Sequence, residues 1–327
     1  MPANQSNTIT MNTGSAIDKD MYYMSCSFTN SSFDLPYSRM FFYQHKNSDK
    51  WFYHDLPNWH VVSTCFPPPV PGEVRKVYAL SEEGDIECFS RQETTLEKIE
   101  DAGLLPTSKL YGYVNKLSYI NGMLYACGRR GQIYRRNHSN WEQFDDGILQ
   151  TASTHLDPED PRYRETIDTI IKQTVDLFDI AGLKNNIYTV GSRGFIAHHD
   201  GTHWNTLKQL TAADLHALLL YPDLTTVLIV GAQGTILKGN AKSGFNVIAR
   251  KNTTIDFYSA TEYQGVTYIG GSDGIYSLQD GAIKKLRVTA HEVSSIESKD
   301  GVMWALASDK LMRFDGRQWE FFKHVDN

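Results

Sequence analysis

The chain of 327 residues is 41% hydrophobic and 12% aromatic, so it can bury a sizeable core in two domains or in one repeat array. A net charge of −6 and a pI near 6.0 argue against non-specific binding to nucleic acid or to an anionic membrane. No apolar run reaches the length of a membrane span, and residues 1–20 lack the apolar core of a signal peptide.

Four cysteines are scattered singly through β-type segments, at Cys26, Cys65, Cys88 and Cys127. Isolated spacing of this kind is typical of buried thiols in a reducing compartment, and it favours neither a disulfide framework nor a zinc site. We therefore expect a cytoplasmic protein.

A short hairpin recurs along the chain, consisting of a β-rich run, a tight turn usually flanked by glycine, and a second β-rich run. The clearest copies are 125–134, 188–196, 228–236 and 268–276, with weaker copies at 80–86 and 306–311. The last turn residues are 84, 131, 194, 234, 274 and 310, at intervals of 47, 63, 40, 40 and 36. A period of about 40 residues with four β-segments per repeat predicts a β-propeller.

The fold class predicted is therefore all-β, a single β-propeller of seven blades with four antiparallel strands each. The units are roughly 22–54, 59–99, 110–145, 174–208, 214–249, 254–287 and 291–323, and counts of six or eight remain open. Residues 1–20 are expected to be a flexible segment and 21–327 the propeller, although residues 8–13 alternate weakly and offer an innermost strand for the first unit. Large side chains ten residues after each turn are expected to pack between blades: Trp141, Trp204, Phe245, Ile283 and Trp319.

The interval of 63 residues places an insertion near 146–173, between the third and fourth units. Asp160 followed by Pro161 is a good helix start, and apolar residues then recur at helical spacing, which predicts a short helix near 161–173. Residues 145–179 contain nine acids against three bases, an excess of six that equals the net charge of the chain.

A blade is an up-and-down meander, so the turns after its second strand share a face of the disc with the links between blades. The insertion is such a link and therefore shares that face with the recurring turns. Turn residues with free side chains suit recognition. Ordinary solvated turns are an equal alternative. The candidate partner-binding residues are Arg129, Arg130, Arg193, Gln233, Asp273 and Asp309 in the turns, and Asp157, Glu159, Asp160, Glu165 and Asp168 in the insertion.

No catalytic constellation can be assigned from the sequence. The densest potential metal cluster, 198–203, contains His198 and His199, which strand alternation sends to opposite faces. Arg129 and Arg193 have the chemistry to grip a carboxylate or phosphate, but no nucleophile accompanies them, and no G-x-S-x-G, P-loop or H-E-x-x-H motif occurs. We expect no catalytic residue, metal or cofactor.

The strings 200–204 (Asp-Gly-Thr-His-Trp) and 315–319 (Asp-Gly-Arg-Gln-Trp) follow these hairpins. Their blades resemble those of bacterial seven-bladed propellers of the regulator-type, photosystem-assembly and sialidase-like groups. This resemblance implies a fold rather than an activity. The sialidase Asp box has the form S-x-D-x-G-x-T-W, whereas here glycine directly follows the aspartate and the serine is missing, a departure that counts against glycosidase activity.

The leading hypothesis is a non-catalytic propeller that binds another protein through its insertion-bearing face. A stand-alone propeller with an acidic arm is similar in outline to immunity proteins that neutralise a toxin, and the charge predicts a basic partner. Two alternatives stay open, a carbohydrate-binding or glycosidase-like propeller acting at its central axis, and an assembly scaffold.

Overall fold

The computed structural model describes residues 9–28, 35–150, 174–249 and 253–324, which form 28 β-strands. In chain order the strands are β1 (Ile9–Asp18), β2 (Met21–Phe28), β3 (Tyr37–Gln44), β4 (Trp51–Pro57), β5 (Val61–Cys65), β6 (Lys76–Ser81), β7 (Asp85–Ser90), β8 (Thr94–Lys98), β9 (Val114–Ile120), β10 (Met123–Gly128), β11 (Ile133–Asn137), β12 (Asn140–Gln143), β13 (Leu177–Leu183), β14 (Asn186–Gly191), β15 (Ile196–His199), β16 (Trp204–Thr206), β17 (Leu215–Leu220), β18 (Val227–Gly231), β19 (Ile236–Asn240), β20 (Gly244–Ala249), β21 (Phe257–Tyr263), β22 (Val266–Gly271), β23 (Gly274–Gln279), β24 (Ala282–Lys285), β25 (Ser295–Lys299), β26 (Val302–Ala307), β27 (Lys310–Phe314) and β28 (Trp319–Phe322).

Consecutive strands pair in groups of four, and every pair is antiparallel. This gives seven four-stranded sheets, β1–β4 to β25–β28, which are blades 1 to 7 in chain order. The first strands of successive blades contact one another in a closed ring, in which β25 of blade 7 contacts β1 of blade 1. The predicted seven-bladed all-β propeller is confirmed, and these seven first strands surround its axis.

The first blade begins earlier than the sequence indicated. Residues Ile9–Asp18, half of the segment expected to be flexible, form the innermost strand of blade 1 and pair with β2. The strand is held because Ile9, Met11 and Ala16 are buried in a core shared with blade 7. The weak alternation at residues 8–13 was therefore the informative signal, since a strand whose two faces both meet neighbouring blades need not alternate strongly.

The hydrophobic core is divided into seven clusters, one at each junction between neighbouring blades. The five large side chains expected between blades lie in five of these clusters. Trp204 of blade 4 also donates its indole N–H to the Phe144 carbonyl beyond blade 3, at 2.7 Å. Trp141 of blade 3 donates in the same way to Glu97 of blade 2, at 3.1 Å. The outermost strand of a blade is thus fastened to the blade before it.

Polar side chains on the innermost strands join one blade to the next. Asp179 on β13 accepts the Leu218 N–H of blade 5 at 2.8 Å, and Glu297 on β25 accepts the Ala16 N–H of blade 1 at 2.9 Å. Because these N–H groups lie on the exposed edge of each sheet, the carboxylates satisfy donors that the sheet itself leaves unpaired. The second of these bonds also contributes to closing the ring.

The tight turn of blade 4 places Gly194 where a side chain has no room. Its φ is +72°, and a Cβ there would lie 1.9 Å from the Thr211 carbonyl oxygen. We expect Gly194→Ala to lower the free energy of unfolding by about 3 kcal/mol, since left-handed strain adds to displacement of the blade 4–5 link. Urea unfolding followed by tryptophan fluorescence measures this.

Gly281 is the matched control, because its φ of +76° is similar but no atom lies within 4 Å of its virtual Cβ. Gly281→Ala is expected to lower the free energy of unfolding by about 1 kcal/mol, because only the left-handed backbone conformation opposes the added side chain. Equal losses in the two variants would show that the close approach at Gly194 has no energetic weight.

Candidate partner-binding face

One face of the disc carries both the recurring turns and the links between blades. The backbone joins these two sets of segments: Ser192 donates to the Asp176 carbonyl and Ala232 to the Asp214 carbonyl, both at 2.8 Å. We call this the turn face. Its turns are 82–84, 129–131, 192–194, 232–234, 272–273 and 308–309, and its links include 99–113, 207–214 and 286–294.

Both described ends of the insertion lie on the turn face, as the strand topology predicts. At one end the Gln150 N–H donates to the Arg130 carbonyl at 2.8 Å. At the other end the Arg193 guanidinium donates to the Thr174 carbonyl. The Gln150 side chain also accepts the Val175 N–H at 2.8 Å, so the two ends adjoin.

The rest of the insertion, residues 151–173, lies outside the described residues. The helix expected near 161–173 and the five acidic candidates, Asp157, Glu159, Asp160, Glu165 and Asp168, all fall in this segment and stay predictions.

A recurring aspartate fastens the turns of blades 3, 4 and 5 to the next blade. The N–H groups of Arg130, Arg193 and Gln233 donate to the carboxylates of Asp176, Asp214 and Asp256, at 3.2, 2.8 and 3.0 Å. All three donors have φ between 54° and 57°, in the left-handed region. Each bond therefore holds an unfavourable backbone conformation and fixes where a candidate side chain leaves the turn.

The candidate side chains of the turns differ in how far they are already engaged. The Arg129 guanidinium lies 4.9 Å from the Tyr113 ring centre. Asp273 accepts from Lys285 at 2.6 Å, and Asp309 lies 3.3 Å from Lys310. The ring of turns thus brings the six candidates to one face without forming a single cluster among them.

The link between blades 2 and 3 adds an apolar projection to the turn face. Leu104, Leu105 and Leu110 are 46, 47 and 50% exposed. The loop that carries them is ordered, because the backbones of Gly103 and Gly112 form a bridge and the Leu104 N–H donates to Glu83 at 2.8 Å. Large apolar side chains held outward on a structured loop are typical of protein interfaces.

Six innermost strands contain a β-bulge near the end at which the strand begins, at the fourth residue of β1 and at the second residue of the other five strands. The bulged residues are Asn12, Val62, Asn115, Phe178, His216 and Tyr258. All six side chains are half-buried, and they lie at the turn-face end of the strands that surround the axis. Bulges re-aim a side chain. They therefore place one residue per blade at the mouth of the central channel.

The innermost strands of blades 4 to 6 share a repeated polar pattern. Asp-Leu-Phe at 176–178, Asp-Leu-His at 214–216 and Asp-Phe-Tyr at 256–258 occupy equivalent positions. Their spacings of 38 and 42 residues match the propeller period. The signal was present in the sequence, and its three aspartates and three ring-bearing residues are the functional candidates that sequence reasoning missed.

Deeper in the channel, charged groups face one another. Lys116 lies 3.8 Å from Asp179, whose negative charge raises the pKa of the lysine. Burial raises the pKa of Glu297. Because both carboxylates also accept backbone N–H groups of the following blade, they are committed to joining blades and are poorly placed as a general acid and base.

Asp145, counted among the acids of the insertion, is a buried residue at the end of blade 3. It is 7% exposed and accepts the Ile133 N–H at 3.4 Å. Burial raises the pKa of its carboxyl to about 6. The folded state therefore holds this proton more tightly than the unfolded chain, and stability falls as the pH rises from about 4 to about 6.

We expect Asp145→Asn to remove this loss. The variant should match the unaltered protein at pH 4 and exceed its stability by about 1–2 kcal/mol at pH 7.5. Thermal unfolding at the two pH values measures the difference. Asp146→Asn, at the exposed neighbouring position, should have a much smaller effect at pH 7.5, because the charge of Asp146 raises the pKa of Asp145 less than burial does. An Asp145→Asn variant that is less stable than the unaltered protein at pH 7.5 would contradict the raised pKa assigned to Asp145.

The histidine cluster forms no metal site. His198 contacts the Tyr188 ring at 4.6 Å, whereas His199 contacts Phe144 at 4.7 Å, so the two point to opposite sides of β15 as predicted. Within the described ranges no group of three or more His, Cys, Asp or Glu side chains is placed to hold a metal ion. The four cysteines are buried free thiols. No helix in the described part of the chain has the length and apolarity to cross a membrane.

Known structures share this architecture. The WD40 β-propeller domain of Doa1 superposes with a TM-score of 0.60 at 11% identity, over 98% of this chain and 95% of its own. A catalytically inactive virginiamycin B lyase from Staphylococcus aureus gives 0.63 at 12% identity, and YCF48 bound to a D1 peptide gives 0.61 at 15%, each over 94% of both chains. The chain is a seven-bladed β-propeller.

The propeller also has a curated relative that it matches along most of its length. It is 25% identical over 270 residues to the immune protein Tsi7 of Pseudomonas aeruginosa, which covers 81% of this propeller and 80% of the relative. No protein-family model matches the chain. The solved propellers are too distant in sequence to inform function, so this relative is the comparison that bears on it.

Proposed function

We propose that this propeller is an immunity-type protein that neutralises a toxin by binding it, without catalysis of its own. The observation that carries the proposal is the match to an immune protein over four-fifths of both chains. The match extends over most of this propeller. It favours a binding role over an enzymatic one.

The turn face is the surface we assign to the toxin. It carries the ends of the insertion at Gln150 and Thr174, the exposed leucines of the link 99–113 and the mouth of the channel. A mixture of apolar projections, charged side chains and rigid backbone is typical of specific interfaces. The opposite face carries short β-turns such as 121–122 and 300–301.

The charge of the insertion points to the chemistry of the partner. The segment 145–179 contains an excess of six acidic residues, but Asp145, Asp176 and Asp179 belong to the blades. The arm itself, residues 151–173, has five acidic and three basic residues. An arm with this acidic excess would attract a basic surface and raise the rate of encounter. A basic toxin domain acting in the cytoplasm, such as one that binds nucleic acid, is therefore the proposed partner.

Co-production in a bacterial host tests the function. The toxin domain to use is the product of the reading frame next to this gene, produced from an inducible promoter. We expect this propeller to restore growth and to co-purify with the toxin in a one-to-one complex. Tsi7 from Pseudomonas aeruginosa is the non-cognate control and should not protect. Growth arrest that this propeller fails to relieve, with no complex formed, would reject the proposal.

A further inference from the structure

Three ring-bearing side chains make a continuous row across blades 4, 5 and 6 at the mouth of the channel. The Phe178 and His216 ring centres are 5.8 Å apart, and those of His216 and Tyr258 are 5.6 Å apart. All three occupy the bulge position, and each is half-buried. On the other side of the axis the same position holds Asn12, Val62 and Asn115, so the aromatic surface covers only half of the mouth.

The row is fixed before any partner arrives. His216 Nδ1 lies 2.9 Å from the Phe257 carbonyl oxygen, and because a carbonyl only accepts, this nitrogen carries a proton and donates. Asn115 makes the equivalent bond to the Leu177 carbonyl at 2.8 Å. Bulge residues are thus tied to the next blade, so a ligand would meet rings whose positions are already set.

An acidic residue precedes each ring along the chain, and the charges of Glu292 and Asp256 act on Tyr258. Asp176, Asp214 and Asp256 each stand two residues before one of the three rings. Burial, together with the charges of Glu292 and Asp256, raises the pKa of Tyr258 to about 12. Aromatic faces flanked by carboxylates attract cations, and guanidinium groups above all, because the ring quadrupole and the carboxylates act in the same direction.

Two cations of the inner and turn-face regions already have partners in the fold. The Arg193 guanidinium binds the Thr174 carbonyl, and Lys116, deeper in the channel, is paired with Asp179.

We infer that the row formed by Phe178, His216 and Tyr258 is the binding site for one arginine side chain of the protein partner. The inference rests on the proposed function, because it names the anchor that a basic toxin would insert at the centre of the turn face. Arginine suits the site since its planar group can stack on a ring while its N–H groups face the negative charges of Asp256 and Glu292 beside Tyr258. Residues that fill a central pocket commonly dominate the energy of an interface.

The test uses Nα-acetyl-L-arginine amide as the probe and the citrulline analogue, its neutral isostere, as the matched control. Both are titrated into the whole propeller while the ring signals of labelled histidine and tyrosine are followed by NMR. We expect the arginine amide to shift the signals of His216 and Tyr258, and citrulline to bind about tenfold more weakly. Tyr258→Leu and the exposed-site variant Glu292→Gln should each weaken binding of the arginine amide. Val62→Ala, on the other side of the channel mouth, should leave that binding unchanged.

The outcomes separate this inference from the proposed function. Equal affinities for the arginine amide and the citrulline analogue would show that the row is not an arginine-binding site, even if the propeller still protects against the toxin. NMR shifts that persist unchanged in Tyr258→Leu would show the same. If the row binds the arginine amide selectively but the propeller neither protects against the toxin nor co-purifies with it, the arginine-binding site is supported and the immunity role is rejected.

Discussion

Replacing Trp304 by alanine is expected to lower the free energy of unfolding by about 3–5 kcal/mol. The side chain has no solvent exposure, and its indole N–H donates to the Asp18 carbonyl at 3.0 Å. Its ring lies 5.5 Å from Tyr22 and 6.0 Å from Tyr43. Trp304 belongs to blade 7 and these three partners belong to blade 1, so the substitution opens a cavity at the junction that closes the ring.

Urea unfolding monitored by circular dichroism measures the loss, and two further variants calibrate it. Trp304→Phe keeps an aromatic ring but loses the indole N–H, and should cost about half as much. Phe321→Ala, at a position 51% exposed on the outermost strand of the same blade, should cost well under 1 kcal/mol. A loss at Trp304 no larger than at Phe321 would show that ring closure does not depend on this junction.

Removing residues 151–173 is expected to weaken toxin binding on the order of 100-fold, because the arm contributes the five acidic candidates and their attraction for a basic surface. The fold should tolerate the change. Gln150 and Val175 are already hydrogen-bonded at 2.8 Å, so a short Gly-Ser linker can join the ends without moving blades 3 and 4. Affinity at low and at physiological salt is the measurement.

An arm of full length without its acidic side chains is the control. Changing Asp157, Asp160 and Asp168 to asparagine and Glu159 and Glu165 to glutamine keeps the chain length, removes all five negative charges and leaves the three basic residues of the arm. We expect this variant to lose most of the salt dependence and to bind nearly as weakly as the deletion. If both variants bind the toxin as tightly as the unaltered propeller does, the arm is not part of the interface.

The repeat pattern predicted the architecture because blade geometry imposes a period on the whole chain. Trp141 and Trp204 could be assigned to the junctions because large side chains at a fixed distance from each turn have nowhere else to pack. The strand Ile9–Asp18 was harder to recognise because neighbouring blades cover it on both sides, which weakens the alternation. Its pairing with β2 depends on contacts with blade 7, at the far end of the sequence.

The candidate site was predicted less completely than the fold. Strand order alone placed the turns and the insertion on one face. The six bulge positions were not recognised in the sequence because they hold different residue types, such as Asn12 and Tyr258. A bulge is a backbone irregularity that requires no particular side chain. Only the aspartate that precedes the ring-bearing residue in blades 4 to 6 repeats, and links of unequal length shift its spacing.

Hydrogen–deuterium exchange of the complex will show whether the turn face receives the toxin. We predict slower exchange on binding in the link 99–113, at 174–178, and in the segments 192–195, 214–216 and 256–258. Exchange at the opposite face, in the turns 121–122, 184–185 and 300–301, should be unchanged. Slower exchange confined to these opposite turns, with the turn face unaltered, would contradict the account.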